Sequence, residues 1–275
     1  MVTGSVVLYH TAPEDVKNVI DSFCPDEGRE LYLIDNSEQG TTEYLNIPFV
    51  SYIFNGINLG YGAGHNIGLH AALEKGADFH VILNPDISFE PDLLPELETY
   101  ALEHPDVVYI LPKVCYPNGE IQYLCKLLPT PADLFFRRFI PIKKVNDRYC
   151  LKDSGYDKIM DPPCLSGCFM FLRMSVIKEN DLFFDDRFFM YFEDFDLIRR
   201  LHRVGKTIFY PYRSIIHRHE KASYKNLHML KVHLRSGIQY FHKYGWFIDK
   251  ERKEMNRKIL SEIEQLKEVD TNEQA

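Results

Sequence analysis

The stretch "VSYIFNGINLGYGAGHNIGLHAALEKGADFHVILNPD" (Val50–Asp86) decides the fold. Val50–Phe54 is β-branched and aromatic, a composition suited to a pleated, half-buried surface, and it ends in Asn55. A turn with glycines at 60, 62, 64 and 68 follows, and the spacing predicts a helix from about Asn66 to Lys75. Phe79–Leu83 is a continuous apolar run closed by Asn84-Pro85-Asp86. Strand, turn, helix and strand in so short a span make a βαβ unit.

The alternation continues on both sides. Ser5–His10 is a short β-rich run, and Pro13 opens a helix to about Cys24 because proline suits a first helical turn. Leu31–Ile34 is apolar and ends in Asp35-Asn36. Pro91–His104 has helical periodicity, and Val107–Leu111 is a further strand. Alternating strands and helices predict an α/β fold with a mostly parallel, Rossmann-like central sheet flanked by helices.

After residue 112 the pattern changes. "KVCYPNGEIQYLC" (113–125) carries a hairpin turn at Pro117-Asn118-Gly119. Residues 126–160 lack clear periodicity and read as a mobile or substrate-facing insertion. "CFMFLR" (168–173) reads as a central strand, with short strands near Thr207–Tyr210 and Ser214–His217. From Tyr224 the chain is predicted helical. Residues 225–267 hold ten Lys/Arg against five Asp/Glu and include Trp246, the only tryptophan. A helix packed on the domain with a solvated charged face accounts for this; the alternative is contact with an anionic membrane surface.

Composition excludes several classes. The 275 residues are 45% hydrophobic and carry a formal charge of −8, which does not fit a nucleic-acid binder. No apolar run approaches the roughly 20 residues that cross a bilayer. "MVTGSVVLYH" lacks a basic region before a long apolar one, so a buried first strand is expected rather than a signal peptide. The six cysteines form no CxxC pair, and reduced thiols in a cytoplasmic protein are expected.

Ligands of open α/β sheets bind beyond the carboxyl ends of the strands. Three strands here end in polar residues: Asp35-Asn36, Asn55 with Asn58, and Asn84-Pro85-Asp86. Each alone fits turn chemistry; three at one edge point to a ligand. The glycine-rich turn matches neither a dinucleotide fingerprint nor a P-loop. It does set Asn58 and Asn66 before a helix N-terminus, a place suited to an anion. Asp86 suits a divalent cation bridging phosphates, or an Asx turn. His217 and His219 in "HRHEKAS" (217–223) are candidate ligands or surface histidines.

The stretch "FDDRFFMYFEDFDLIRRLHRVG" (184–205) sets aromatics before three carboxylates and a basic helix. On that helix Asp194, Ile198 and Leu201 share one face with Leu197, which is expected to be buried. Glu193, Asp196, Arg199, Arg200 and Arg203 are expected to point elsewhere. Asp194 then lies at the edge of the apolar face, walled by aromatics, where desolvation raises its pKa toward that of a general base. Helix capping and dipole complementarity are the alternative, and they cover Glu193 and Asp196.

"LIDNSEQGTT", "NLGYGAGHNIGL", "ILNPDISFEPDLL", "LSGCFMFLR", "FDDRFFMYFEDFDLIRRLHRVG" and "IIHRHEKAS" occur in this order over residues 5–223. In this the chain resembles the family 2 glycosyltransferases of the GT-A fold, closest to their rhamnosyltransferase-like branch. The resemblance implies a GT-A domain over 1–223, with a nucleotide-sugar half (1–112) and an acceptor half (113–223), and a C-terminal helical extension over 224–275. It implies inverting transfer from dTDP-rhamnose, or from a UDP-hexose, to a saccharide or lipid-linked saccharide in cell-surface polysaccharide synthesis, at the inner face of the membrane.

The resemblance further implies a nucleotide-sugar site of His10, Asp35, Asn58, Gly60, Asn66, Asn84 and Asp86. Mg2+ or Mn2+ would be held by Asp86 and His217. Asp194 becomes the base, Glu193 orients it or the acceptor, and Asp196 is structural. The family's D-x-D position here reads Asn84-Pro85-Asp86, with one carboxylate. Two other readings are a sugar-phosphate nucleotidyltransferase, whose basic glycine-rich N-terminal loop is missing from "VVLYHTAPEDV", and a non-catalytic nucleotide-sugar-binding module.

Overall fold

The strands are β1 (Val2–Leu8), β2 (Arg29–Asp35), β3 (Val50–Phe54), β4 (Phe79–Leu83), β5 (Ile87–Ser88), β6 (Val107–Cys115), β7 (Phe169–Arg173) and β8 (Lys206–His217). The helices are α1 (Pro13–Phe23), α2 (Tyr61–Lys75), α3 (Leu93–Glu103), α4 (Lys143–Tyr149), α5 (Met174–Asn180), α6 (Glu193–Leu201), α7 (Leu227–Tyr244) and α8 (Lys250–Glu273). The structure is a computed structural model that describes residues 1–133, 142–218 and 227–273. His219 and most of the basic run after it lie outside the described residues.

The strands form one sheet in the order β3-β2-β1-β4-β7-β6-β8-β5. β3, β2, β1 and β4 are parallel, as the βαβ alternation predicts. The second half is more mixed than expected. β7 enters antiparallel between β4 and β6, and β5 pairs antiparallel with β8. An apolar run cannot reveal its direction; β7 runs backwards because the chain from β6 returns to the carboxyl edge before entering it. That reversal sets Phe169 opposite Leu83, so the start of β7 lies where β4 ends.

Several boundaries move. α2 begins at Tyr61, not Asn66, so the glycine-rich turn is the first turn of the helix. Gly60 sits at φ +87°, and a Cβ there would lie 2.1 Å from the Phe189 carbonyl oxygen. At Gly68 a Cβ would lie 2.5 Å from the Ser5 Cβ. Gly68 lets the helix lie directly on β1 and Gly60 admits the Phe189 backbone, at positions a helix-propensity reading penalises. The two short strands after 206 are one strand, β8, with an irregularity opposite Pro112/Lys113. The hairpin turn is present, but its second arm makes only the bridge Cys115–Ile121.

The described part of 126–160 is not structureless. It contains α4, buries Tyr149 and Tyr156, and exchanges hydrogen bonds between the Leu128 backbone and Asn256 of α8. The C-terminal region is two helices broken at Gly245.

The largest departure concerns α6. Glu193, Asp196 and Arg199, expected away from the buried face, are 6%, 0% and 1% exposed. The aromatics before the helix do not chiefly wall a site either. Phe188 and Phe192 form a small core with Tyr240 and Phe241 of α7. The reason is that α7 and α8 cover the polar side of α6. Arg199 binds Asp249 through both terminal nitrogens (2.7 and 2.5 Å) and Glu251 through Nε (2.6 Å). Asp196 accepts from Arg200, Lys243 and the Tyr244 hydroxyl.

Candidate active site

The carboxyl edge of the sheet carries three groups of polar side chains. The first surrounds a cleft of about 550 Å³ beyond β1 and β2, lined by residues that include His10, Asp35, Ser37, Glu38 and Tyr44. Asp35 is buried at the end of β2; it accepts the Tyr52 hydroxyl at 2.6 Å and the Ser37 N–H at 2.9 Å. Burial and this bond push Tyr52 up to about 12, so the phenol stays a donor. His10, at φ +50°, pairs with Glu38 at 3.0 Å on the open side of the cleft.

Asn36, buried beside Asp35, accepts from Asn55 and donates to the Gly60 carbonyl. It ties the ends of β2 and β3 to the start of α2. Asn58 accepts the Gly60 N–H at 2.9 Å, which closes the turn before the helix. Asn66 holds both the N–H and the carbonyl of Phe184 at 2.9 Å, and its amide nitrogen lies 3.0 Å from Asp186. The structure therefore engages the Asn58 and Asn66 side chains in scaffold hydrogen bonds.

The second group lies where β4 and β8 end. His217 is buried; its Nδ1 is 3.0 Å from Gln122 Oε1, and its Nε2 is 3.4 Å from Asp86 Oδ1 and from the Asn84 amide nitrogen. Burial opposes charge on His217, but Cys168 and Asp86 outweigh it and raise the imidazole to about 10. Gln122 orients the ring by accepting at Nδ1, the kind of outer contact that fixes a metal-ligating histidine. The donor set fits a hard cation in part: one carboxylate and one imidazole converge, His217 would have to release its Nε2 proton to bind, and a diphosphate and water would have to complete the sphere. Among the described residues no group of three or more His, Cys, Asp or Glu forms a closed metal cage.

The third group is at the start of α6. Tyr191 and Phe192 both adopt left-handed backbone, φ +67° and +68°, immediately before Glu193. Such strain costs about 1–3 kcal/mol per residue and persists only where packing overrides it; here Phe192 is locked between α6 and α7. Asp194 accepts the Phe195 N–H at 2.8 Å and the Gly167 N–H at 3.2 Å. Glu193 Oε2 is buried and has no hydrogen-bond partner among the described residues.

Burial and the adjacent Asp194 raise Glu193 well above the usual carboxylate range. Burial also raises Asp194, against the opposing pull of Lys126 and the two N–H donors. Two neighbouring buried carboxylates do not ionise together. Asp194, with its donors and Lys126, is the more readily ionised of the two, and Glu193 is held further toward its neutral form.

A run of close polar contacts joins the second and third groups. Asp194 accepts the Gly167 N–H; the Tyr61 hydroxyl lies 2.7 Å from the Gly167 carbonyl and 3.0 Å from Asn84 Oδ1, and its single proton serves one of these acceptors at a time. The Asn84 amide nitrogen lies 3.4 Å from His217 Nε2, which faces Asp86 at the same distance. Tyr61, Lys126, Gln122, Tyr52 and Gly167 are not singled out by the sequence; Lys126 lies where the pattern lacks periodicity and Gln122 on an arm of the expected hairpin. Only "SGC" before a central strand offered a signal for Gly167.

The model of the family described as "Glycosyl transferase family 2" matches residues 6–196, which span the cleft, the Asp86 turn and the Glu193-Asp194 pair. The chain belongs to this glycosyltransferase family. The nucleotidyltransferase reading falls with that match.

The glycosyltransferase is 26% identical over 252 residues to "Rhamnosyltransferase WbbL" of Escherichia coli (strain K12), covering 86% of this chain and 90% of the relative. It is 26% identical over 213 residues to the "N-acetylglucosaminyl-diphospho-decaprenol L-rhamnosyltransferase" of Mycobacterium tuberculosis (strain CDC 1551 / Oshkosh), covering 71% and 68%. Its fold is similar to a crystal structure of GalNAc-T7 with UDP, GalNAc and Mn2+. There the TM-score is 0.57 at 16% identity, covering 78% of this chain and 42% of the other.

Proposed function

We propose that this glycosyltransferase moves a sugar, rhamnose from dTDP-rhamnose or a hexose from a UDP-sugar, onto a lipid-linked saccharide in cell-surface polysaccharide synthesis. The transfer is a single displacement with inversion. Asp194 takes the proton from the acceptor hydroxyl as its oxygen bonds to the anomeric carbon, and the nucleoside diphosphate leaves from the opposite side. Glu193, buried beside Asp194, orients it or the acceptor and leaves the negative charge on one carboxylate. Residues 1–112 bind the donor, 113–223 the acceptor, and 224–275 brace α6.

The observation that carries this reading is the run of polar contacts from Asp194 through Gly167, Tyr61 and Asn84 to Asp86 and His217. It supports reading Asp194 as the base and Asp86 with His217 as cation ligands at one sheet edge. Asp35 and Tyr52 take the nucleoside, with His10 and Gly60 at the cleft and turn. Asp86 and His217 are the residues that would hold Mg2+ or Mn2+. A bound cation supplies charge against the leaving diphosphate. The names of the two rhamnosyltransferase relatives favour the sugar and the lipid-linked acceptor, and the acceptor in turn favours the inner membrane face.

A thermal-shift screen over dTDP-rhamnose, UDP-glucose, UDP-galactose and UDP-N-acetylglucosamine, with and without Mn2+, tests the reading. Ligand at a hundred times Kd stabilises by about 2.7 kcal/mol. Stabilisation by one of these donors, strengthened by Mn2+, is expected; no shift with any of them refutes the assignment. Donor hydrolysis or transfer by the stabilised complex separates an enzyme from a binding module.

A further inference from the structure

The α7–α8 corner exposes apolar surface that the rest of the fold does not use. Phe247 and Ile248 are 84% and 79% exposed, side by side at the turn between the two helices. Scattered apolar side chains on a surface need no explanation. This pair differs because rigid anchors hold it out. On one side Gly245 closes α7 with its N–H on the Phe241 carbonyl, and the Trp246 ring packs at a tilt against Phe241, 5.4 Å between centroids. On the other, Asp249 is buried, clamped by Arg199, and caps α8 by accepting the Arg252 N–H at 2.9 Å. The turn is not a loose loop whose apolar residues could fold inward.

The surface around it is basic. On α7 the exposed residues Leu227, Lys231, Arg235, Ile238 and His242 recur every three or four positions and make one stripe leading to Trp246, 5.5 Å from His242. At the start of α8, Lys250, Lys253 and Arg257 are exposed. Residues 227–258 contain eight Lys/Arg against three Asp/Glu. Lys243 and Lys258 pair with acids elsewhere and Arg252 is buried, which leaves Lys231, Arg235, Lys250, Lys253 and Arg257 exposed; Asp249 and Glu251 are neutralised by Arg199 and Arg203, which leaves Glu254. On a chain of net charge −8 this is a local reversal of sign.

From this we infer that the α7–α8 corner is a membrane-docking finger, with Phe247 and Ile248 entering the interface of an anionic bilayer and the α7 stripe lying on its headgroups. Apolar insertion plus cation attraction is the chemistry of interfacial binding. The finger does not cross the bilayer: no described helix is long and apolar enough. The choice of a bilayer as occupant rests on the proposed lipid-linked acceptor, but its test needs no turnover.

Trp246, the only tryptophan, is a built-in probe beside the corner. With phosphatidylglycerol–phosphatidylcholine vesicles the full chain is expected to float and its emission to shift to the blue; pure phosphatidylcholine should bind far less. Phe247→Ser with Ile248→Ser should weaken vesicle partitioning at least about tenfold, from the burial of two large side chains. Melting temperature, donor binding and transfer to a water-soluble acceptor should be unchanged. Lys231→Glu with Arg235→Glu should abolish the preference for anionic vesicles.

Failure of the wild-type chain to bind, or equal binding by the serine variant, overturns the inference. So does a concentration-dependent dimer in sedimentation that the serine variant abolishes, which would give the patch to a second copy. Lost vesicle binding with intact donor binding would leave the proposed function standing. Intact vesicle binding without any donor shift would do the reverse.

Discussion

Replacing Arg199 with methionine tests whether the C-terminal helices are part of the catalytic architecture. The Arg199 and Asp249 side chains are each 2% exposed, and Arg199 joins α6 to the start of α8 by three charged contacts and to α7 by a cation–π contact over Tyr244 at 4.1 Å. Burial opposes the Arg199 charge, and Asp249, Tyr240 and Glu251 more than offset it. Methionine keeps much of the alkyl volume but leaves the Asp249 carboxylate buried with only the Arg252 N–H. Breaking a buried pair from one side costs about 3–5 kcal/mol. Urea unfolding of Arg199→Met should show that loss relative to wild type. Asp249→Asn in the same background should recover part of it, because the amide still accepts the Arg252 N–H without a charge. Loss below about 1 kcal/mol, or no recovery in the double variant, would mean the pair is solvated in practice and α6 is not braced as described. If the brace positions Asp194, Arg199→Lys should lower kcat while donor Kd stays near wild type.

Asp194→Asn should cut sugar transfer by about 10²–10⁴-fold, the usual worth of a general base, with donor affinity kept; single-turnover rates beside calorimetry read this, and near wild-type transfer would remove Asp194 from the role. Because Asp194 titrates above its ordinary range and acts ionised, wild-type kcat should rise with pH through that raised pKa before levelling. Asp86→Ala should abolish the Mn2+-dependent part of donor binding by calorimetry, and an unchanged Mn2+ effect would free Asp86 of a cation role. The buried chain Thr3–His80–Ser5–His65 holds two neutral histidines, His80 lowered to about 3 and His65 well below its ordinary value by burial. Their folded pKa values lie below the unfolded value near 6.5, so stability is full above about pH 6.5 and falls as pH drops toward 3, by about 1.4 kcal/mol per pH unit for each histidine. His80→Gln should flatten that slope in chemical denaturation at pH 4–6, and an unchanged slope would place the acid sensitivity elsewhere.

Much of the fold was legible because its signals are local. Parallel βαβ units bring the strand ends Asp35, Asn55 and Asn84 to one edge wherever the details fall, so that edge could be read before any contact was known. The Glu193-Asp194 pair was legible as an acid pair before a helix. Which acid is deeper was not, because helical periodicity counts one buried face and α6 has partners on two. Asn58 and Asn66 were legible as polar residues near an edge, yet their amides close a turn and hold the Phe184 backbone, which only the path of the chain reveals.

By itself the sequence determined the α/β alternation, the polar carboxyl edge and the presence of a carboxylate pair at a helix start, since each depends on neighbours within a few residues. The tertiary structure alone decided the reversal of β7, the junction of Gly167, Tyr61 and Asn84 beneath Asp194, and the burial of Asp196 and Arg199. Their partners stand far along the chain: Tyr61 meets Gly167 across 106 positions, and Arg199 meets Asp249 across 50. Charge, desolvation and hydrogen bonding at a site depend on distance in space, and a one-dimensional pattern carries only distance along the chain.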